Sequence, residues 1–519
     1  MLKTKLLVVT LFLTTTTFAN AGSAKYVLFF LGDGMGPVNV TMSRIAKYGE
    51  AGSLNFDKLS NTGRVRTYSL DAQTTDSAPS MSAYTTGVKM NNDVISSTDN
   101  TLAFFNYGTS SAQSYNYAST PYTGINSSFV VGTSLSPTTV AVKPESACPT
   151  SGNGGPVTTI LELAKAAGRS TGVVTTTRVT HATPAATYAH ICNRDGENQI
   201  ASQLVKNSGD ANPVGAYNTA LGNGVDVILG GGRRHFLPST ASGSKRLDTN
   251  DLTAKMVTNG YTYVTDKTAL ANIVPSASTK ILGLFTASHM SYDYDRQQNQ
   301  SSTEPSLSDM TSKAIDVLAQ NSNGFYLMVE GGRIDHALHD TNPTRAVYDT
   351  IAFDTAIQTA LTKMATIDPG LANTIVVVTA DHDHTISLGG YAMRSDPVRN
   401  PAGVLGVSKN VATKRPDLST NDVSPFPIIN FGNGATSGGT DDGSTNSLRG
   451  INRGALTDAI TSAASYHSPV AVNFSTGAES ESHGGGDVWI YSTGANSNLF
   501  KGTMVNTEVF NRLRTASGL

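Results

Sequence analysis

Residues 375–384 read IVVVTADHDH, and the succession of residue types in them decides the fold. Ile375–Val378 is an uninterrupted branched apolar run. Such a run needs burial on both faces, the pattern of a parallel strand in a sheet covered by helices. Asp381-His382-Asp383-His384 then follows almost at once. In a continuing strand, alternation would put Asp381 and Asp383 on one side and His382 and His384 on the other. Four ionisable groups beside an apolar strand are costly to bury unless they are paired or hold a metal. Two more runs have the same form. Tyr26–Leu31 leads into Gly32-Asp33-Gly34-Met35-Gly36, and Phe325–Val329 leads into Glu330-Gly331-Gly332, Asp335, His336 and His339. Ligands of open parallel sheets bind at the carboxyl ends of the strands, so the three ends are expected to converge. Gly172–Val174 and Val225–Leu229 read as further buried strands. Thr159–Ala167, ending at Gly168, and Leu307–Asn321 read as helices. The expected class is α/β: a large central, mostly parallel sheet flanked by helices on both faces.

The 519 residues carry 37 Lys+Arg against 39 Asp+Glu, a formal charge of −2, and only 15% are charged. A nucleic-acid-binding surface needs clustered Lys and Arg, so that class is excluded. Lys3 and Lys5 precede the apolar run Leu6–Leu13, and Ala19-Asn20-Ala21 follows. This predicts a signal peptide over residues 1–21 and a periplasmic or secreted protein. The apolar run is shorter than the ~18–20 residues of a membrane span, so no anchor is expected in the mature chain. Removal of the segment leaves 35 basic against 39 acidic residues. Cys148 and Cys192 either pair, as that compartment permits, or remain thiols. Residues 22–519 read as one catalytic domain with two loop-rich insertions. One spans about 95–156 and contains FFNYGTSSAQSYNY. The other spans about 389–481 and contains GNGATSGGTDDGSTNS.

Carboxylates mixed with imidazoles, and no thiolates, suit zinc or another divalent ion. Asp335 and His339 are four apart and share a helix face. His483 stands alone in Glu481-Ser482-His483-Gly484, just before the strand-like Val488–Tyr491. Gly32–Gly36 lacks G-x-G-x-x-G spacing and reads as a tight turn, not a dinucleotide site. Thr75-Asp76-Ser77-Ala78-Pro79 reads as a helix N-terminus with Ser77 at the cap. A serine there meets free N–H groups that favour an oxyanion, yet its hydroxyl is a weak nucleophile unless a base or metal activates it. Arg194 offers a planar fork suited to phosphate, with a surface ion pair as its ordinary alternative.

Taken in order from about Ala24 to Asp487, these motifs resemble the alkaline phosphatase family. Asp226–Pro238 (DVILGGGRRHFLP) and the segment VEGGRIDHALHD resemble the animal-type members most. The resemblance implies hydrolysis of phosphate monoesters through a phosphoserine on Ser77, with Asp76 beside it and Arg194 holding phosphate oxygens. It implies one zinc on Asp335, His339 and His483, and a second on Asp33, Asp381 and His382. Magnesium falls to Asp33, Thr183 and Glu330, with His384 close behind the first zinc. His181 and His336 follow the animal pattern, where some bacterial members carry Asp and Lys. Imidazole is softer than carboxylate, so the third site is expected to take zinc as well as magnesium. The animal calcium site is not carried over, because Phe285-Thr286 and Ser301 lack its acids. Homodimers are typical of the family, and residues 389–481 stand in the place of its variable crown, expected at the dimer interface or over the site. The alternative is a phosphodiesterase or sulfatase of the same superfamily. Ser77-Ala78-Pro79 echoes the Ser/Cys-x-Pro-x-Arg sulfatase signature, but the fifth residue is Met81.

Overall fold

Every residue of Tyr26–Gly32, Phe325–Gly331 and Thr374–Ala380 is buried, which requires helices on both faces of the sheet they share. The computed structural model describes residues 22–103, 148, 153–418, 424–435, 456–474 and 480–519. The signal-like segment, the FFNYGTSSAQSYNY stretch and most of GNGATSGGTDDGSTNS lie outside the described residues. In chain order the strands are β1 (Tyr26–Gly32), β2 (Asn61–Arg66), β3 (Ser170–Arg178), β4 (Val227–Gly231), β5 (Thr262–Val264), β6 (Ile281–Leu284), β7 (Phe325–Gly331) and β8 (Thr374–Ala380). There follow β9 (Asp383–His384), β10 (Ile386–Leu388), β11 (Ile429–Ala435), β12 (Val470–Phe474), β13 (His483–Gly484), β14 (Val488–Gly494) and β15 (Gly502–Val505).

Ten strands form one sheet in the order β15-β2-β14-β8-β1-β7-β3-β4-β6-β5. Among the described strands of this sheet, only β14 runs antiparallel to its neighbours, β2 and β8. The expected strands and both helices are present. The first helix, Ile160–Ala166, starts with a Thr159–Glu162 capping box, and the second, Leu307–Leu318, with a Ser306–Asp309 box. Register lines up the strand ends. Gly32 lies opposite both Gly331 and Ala380, and Thr175 lies opposite Glu330. The residues that follow β1, β3, β7 and β8 therefore emerge side by side along one edge. Because β14 is antiparallel, it enters the sheet at the edge where its neighbour β8 leaves, and this brings His483 to the same place.

The described part of residues 389–481 holds more than loops. Its strands β11 and β12 join β10, which lies just before it, in a small separate sheet, and Val407, Leu456 and Tyr466 pack into a small apolar cluster of their own. Cys148 and Cys192 are joined by a disulfide, which resolves the alternative left open by the sequence. Among the described residues, no helix is long and apolar enough to cross a membrane.

Candidate active site

The strand ends deliver Asp33, Glu330, Asp381 and His382 to one spot, each with no solvent exposure. Gly34 sits at φ +65° there, and a Cβ on it would come within 2.5 Å of His384 Nε2. Ser77 is the first residue of the helix Ser77–Thr86. The structure corrects its expected capping role: Asp76 is the N-cap and accepts from Ala78 N. The reason is that Asp76 keeps extended backbone and reaches the free N–H. Ser77 Oγ is thereby left to face Asp33 Oδ1 at 3.4 Å and His382 Nε2 at 3.2 Å.

Backbone carbonyls set the direction of three imidazoles. His382 Nδ1 donates to Asp383 O at 3.2 Å, His483 Nδ1 to Thr75 O at 2.8 Å, and His339 Nδ1 to Glu481 O. In each neutral ring the lone pair is then on Nε2. Those of His339 and His483 face each other at 3.1 Å and face Asp335 Oδ1 at 3.2 and 3.6 Å. That of His382 faces Asp33 Oδ1 at 3.2 Å and Asp381 Oδ2 at 3.5 Å. Lone pairs and carboxylate oxygens converging in a buried space call for protons or a metal cation between them, and metal-binding histidines characteristically donate their other N–H to a carbonyl. Asp381 Oδ2 and Glu330 Oε1 are buried with no hydrogen-bond donor, which fits the same requirement. The third group is rich in oxygen: Thr183 Oγ1 donates to Asp33 Oδ2 at 3.4 Å, and Glu330 Oε2 accepts from Thr175 and from Thr177 at 3.1 Å.

Burial, then Asp335 and Glu330, hold the Asp33 carboxyl well above the usual range. Burial and neighbouring acids push Glu330 up to about 7 and Asp381 up to about 8. Asp335 moves the other way. Burial opposes its charge, but His339 and His384 overcome that and hold it well below the usual range.

Arg194 reaches the same place from beyond β3. Its Nη1 pairs with Asp76, next to Ser77, and its Nη2 donates to His181 Nε2 at 3.0 Å. Its pKa is raised: burial works against the charge, and Asp76 and Asp93 outweigh it.

A family model described as alkaline phosphatase matches residues 24–519. The alkaline phosphatase of Gadus morhua is 32% identical, over 93% of this chain and 89% of that protein. The human tissue-nonspecific isozyme is also 32% identical, over 93% of this chain and 82% of its own. Among solved structures, that of alkaline phosphatase from the Antarctic bacterium TAB5 superposes with a TM-score of 0.57 at 22% identity, covering 96% and 99% of the two chains. The Thermus thermophilus enzyme gives 0.60 at 22%, covering 99% and 96%. The chain belongs to the alkaline phosphatase family. It is therefore an enzyme of a metal-dependent class that hydrolyses phosphate monoesters, and the side-chain groups just described are candidates for its metals.

The family's motif residues predicted from the sequence all fall at this site or against it. A second expectation fails, after the cap. Strand β8 ends at Ala380, so alternation does not carry through Asp381-His382, and these two face the same space. Asp383 instead turns toward Gly36 and Gly486. Two residues were not foreseen. His289 joins His181 and His336, with ring centroids 4.2–5.4 Å apart. Burial holds all three well below the ordinary histidine range, so they stay neutral. Arg178 and Arg194 direct N–H groups at His289 and His181. Glu481 is the second. Its carboxylate accepts from His384 Nδ1 at 2.5 Å, while His384 Nε2 meets Asp335 Oδ1 at 2.9 Å. A polar residue at the end of a long insertion gives no local signal for either contact.

Proposed function

We propose that the chain hydrolyses phosphate monoesters through a phosphoserine on Ser77, with two zinc ions and one magnesium per subunit. The observation that carries this is the convergence of Asp33, Asp335, Glu330, Asp381 and the Nε2 lone pairs of His339, His382 and His483 beside Ser77 Oγ. Asp335, His339 and His483 would hold one zinc, and Asp33, Asp381 and His382 the other. Asp33, Thr183 and Glu330 suit magnesium, a hard ion that prefers oxygen. Bound there, these metals supply Lewis acidity and neutralise charge on phosphoryl oxygens.

Ser77 Oγ attacks phosphorus as the bond to the leaving oxygen breaks, and the alcohol departs with a proton. Water then attacks the phosphoserine from the opposite side, freeing Ser77 and inorganic phosphate. Arg194, fixed by Asp76 and His181, binds two non-bridging oxygens and holds phosphorus in line with Ser77. Ser77→Ala should cut turnover on the order of 10³-fold or more while inorganic phosphate still binds. Near-parental turnover in that variant sinks the assignment. Comparing aryl phosphate, bis-aryl phosphate and aryl sulfate tests the ester class, and aryl phosphate should be hydrolysed fastest.

Secretion after cleavage at Ala21 and homodimer formation complete the proposal. Tyr391 and Val398, 97% and 86% exposed, lie in the crown-like segment and would be covered by a second copy. Mass measurement of the exported protein and light scattering test these two points.

A further inference from the structure

Glu481 is 1% exposed, and among the described residues its carboxylate meets imidazole, hydroxyl and amide groups, with no lysine or arginine. Besides His384 Nδ1 it accepts from Thr385 N at 2.6 Å and from Thr385 Oγ1. Its main chain is bound to a different element. Glu481 N donates to His339 O at 2.9 Å, and Glu481 O is the acceptor that orients the His339 ring. Two residues on, His483 pairs with His384 across β13 and β9. One residue thus ties together the end of the helix Arg333–His339, strand β9 and the segment carrying His483.

The small sheet is fastened to the same point. Gly432 N in β11 donates to Thr385 O at 2.8 Å. Asn433 Nδ2 donates to Ser482 Oγ at 2.8 Å, and Ser482 N donates back to Asn433 Oδ1 at 2.9 Å. A carbonyl cannot be removed by mutation, but the side chain that anchors it can. Without its carboxylate, residue 481 loses its hold on His384 and Thr385, and the carbonyl that aims His339 is free to drift.

We infer that Glu481 is a positioning residue for the metal held by Asp335, His339 and His483, and that the crown-like segment acts on that metal through it. The inference rests on the proposed assignment of those three ligands. The groups that orient metal-binding imidazoles typically contribute about 10–100-fold in metal affinity when they are lost. The test is zinc titration of metal-stripped protein against a chromogenic chelator, comparing parent, Glu481→Ala and Glu481→Gln. Melting of each stripped protein is measured in parallel. In Glu481→Ala one zinc equivalent should weaken about 10–100-fold, while the other equivalent and the melting temperature of the stripped protein stay at parental values. Glu481→Gln keeps the length and an acceptor for Thr385, and should recover part of the loss. Parental affinity at both equivalents in the alanine variant overturns the inference. Uniform weakening of every equivalent, or a matching drop in melting temperature, also overturns it by showing a merely structural role. A parent that takes up no zinc sinks the metal assignment itself, which is a separate outcome.

Discussion

Around Asp33, three buried carboxylates crowd together, with His382 between Asp33 and Asp381 and His181 beside Asp33 and Glu330. Around Asp335, one carboxylate is ringed by His339, His384 and His483. The same burial has opposite results in these two halves of the site. The acids of the first half are pushed up, with Glu330 at about 7 and Asp381 at about 8, because burial raises each and neighbouring like charge adds to it. Asp335 is held down, and its partners His339 and His384 are raised despite burial, because opposite charges answer one another. Without metal, the imidazole half can neutralise itself by taking protons. The carboxylate half can only protonate its acids or repel.

The largest test of this contrast is metal removal. Chelation should abolish turnover, and zinc with magnesium should restore it. In the stripped protein, Glu330 and Asp381 bind protons that the unfolded chain has already released at neutral pH. Their raised values therefore make stability highest at low pH, with the loss accumulating as pH rises through about 7 and about 8. Between pH 6 and pH 8 the stripped protein should lose several degrees of melting temperature, and the metal-loaded protein should lose far less. A flat profile in the stripped protein breaks the contrast.

A paired substitution is the next test. In metal-stripped protein at pH 8, Asp381→Asn removes repulsion and should stabilise by about 1–2 kcal/mol. Asp335→Asn removes the partner of three imidazoles and should destabilise by about 1–3 kcal/mol. Thermal unfolding of both decides it, and the same sign in both variants ends the distinction. The smallest effect belongs to Arg194→Ala. Loss of hydrogen bonds to a charged phosphoryl group should raise KM about tenfold or more. Zinc affinity at the imidazole half should not move, since the Arg194 guanidinium meets Asp76 and His181, which lie outside that half.

Strands β1, β7 and β8 were readable because burial on both faces demands an unbroken apolar run. Strand β3 was readable only in part. Its apolar run is short, and its end is Thr175-Thr176-Thr177, whose first and last hydroxyls serve Glu330. A strand that supplies a polar site forfeits the pattern by which strands are recognised. The short edge strands β5 and β15 left no such run either. Among the site residues, those at strand ends or in motif order were readable, and the family resemblance supplied their roles. His289 and Glu481 were not, because what gives them meaning is a contact across the chain: 111 residues from Arg178 to His289, and 97 from His384 to Glu481. The shift of the cap from Ser77 to Asp76 is a difference of one residue that local propensity does not resolve, since both are good caps.

The antiparallel entry of β14 between β2 and β8 has a consequence for how the enzyme is made. Thr75 waits for a partner, His483, that lies 408 residues later in the chain. A chain still emerging from the ribosome can build β1, β7 and β8, yet it cannot close the ring around Asp335 until His483 has followed them out. Contacts of that sequence separation form slowly. The ring around Asp335 is thus closed late, and in whichever compartment the segment carrying His483 docks beside Thr75.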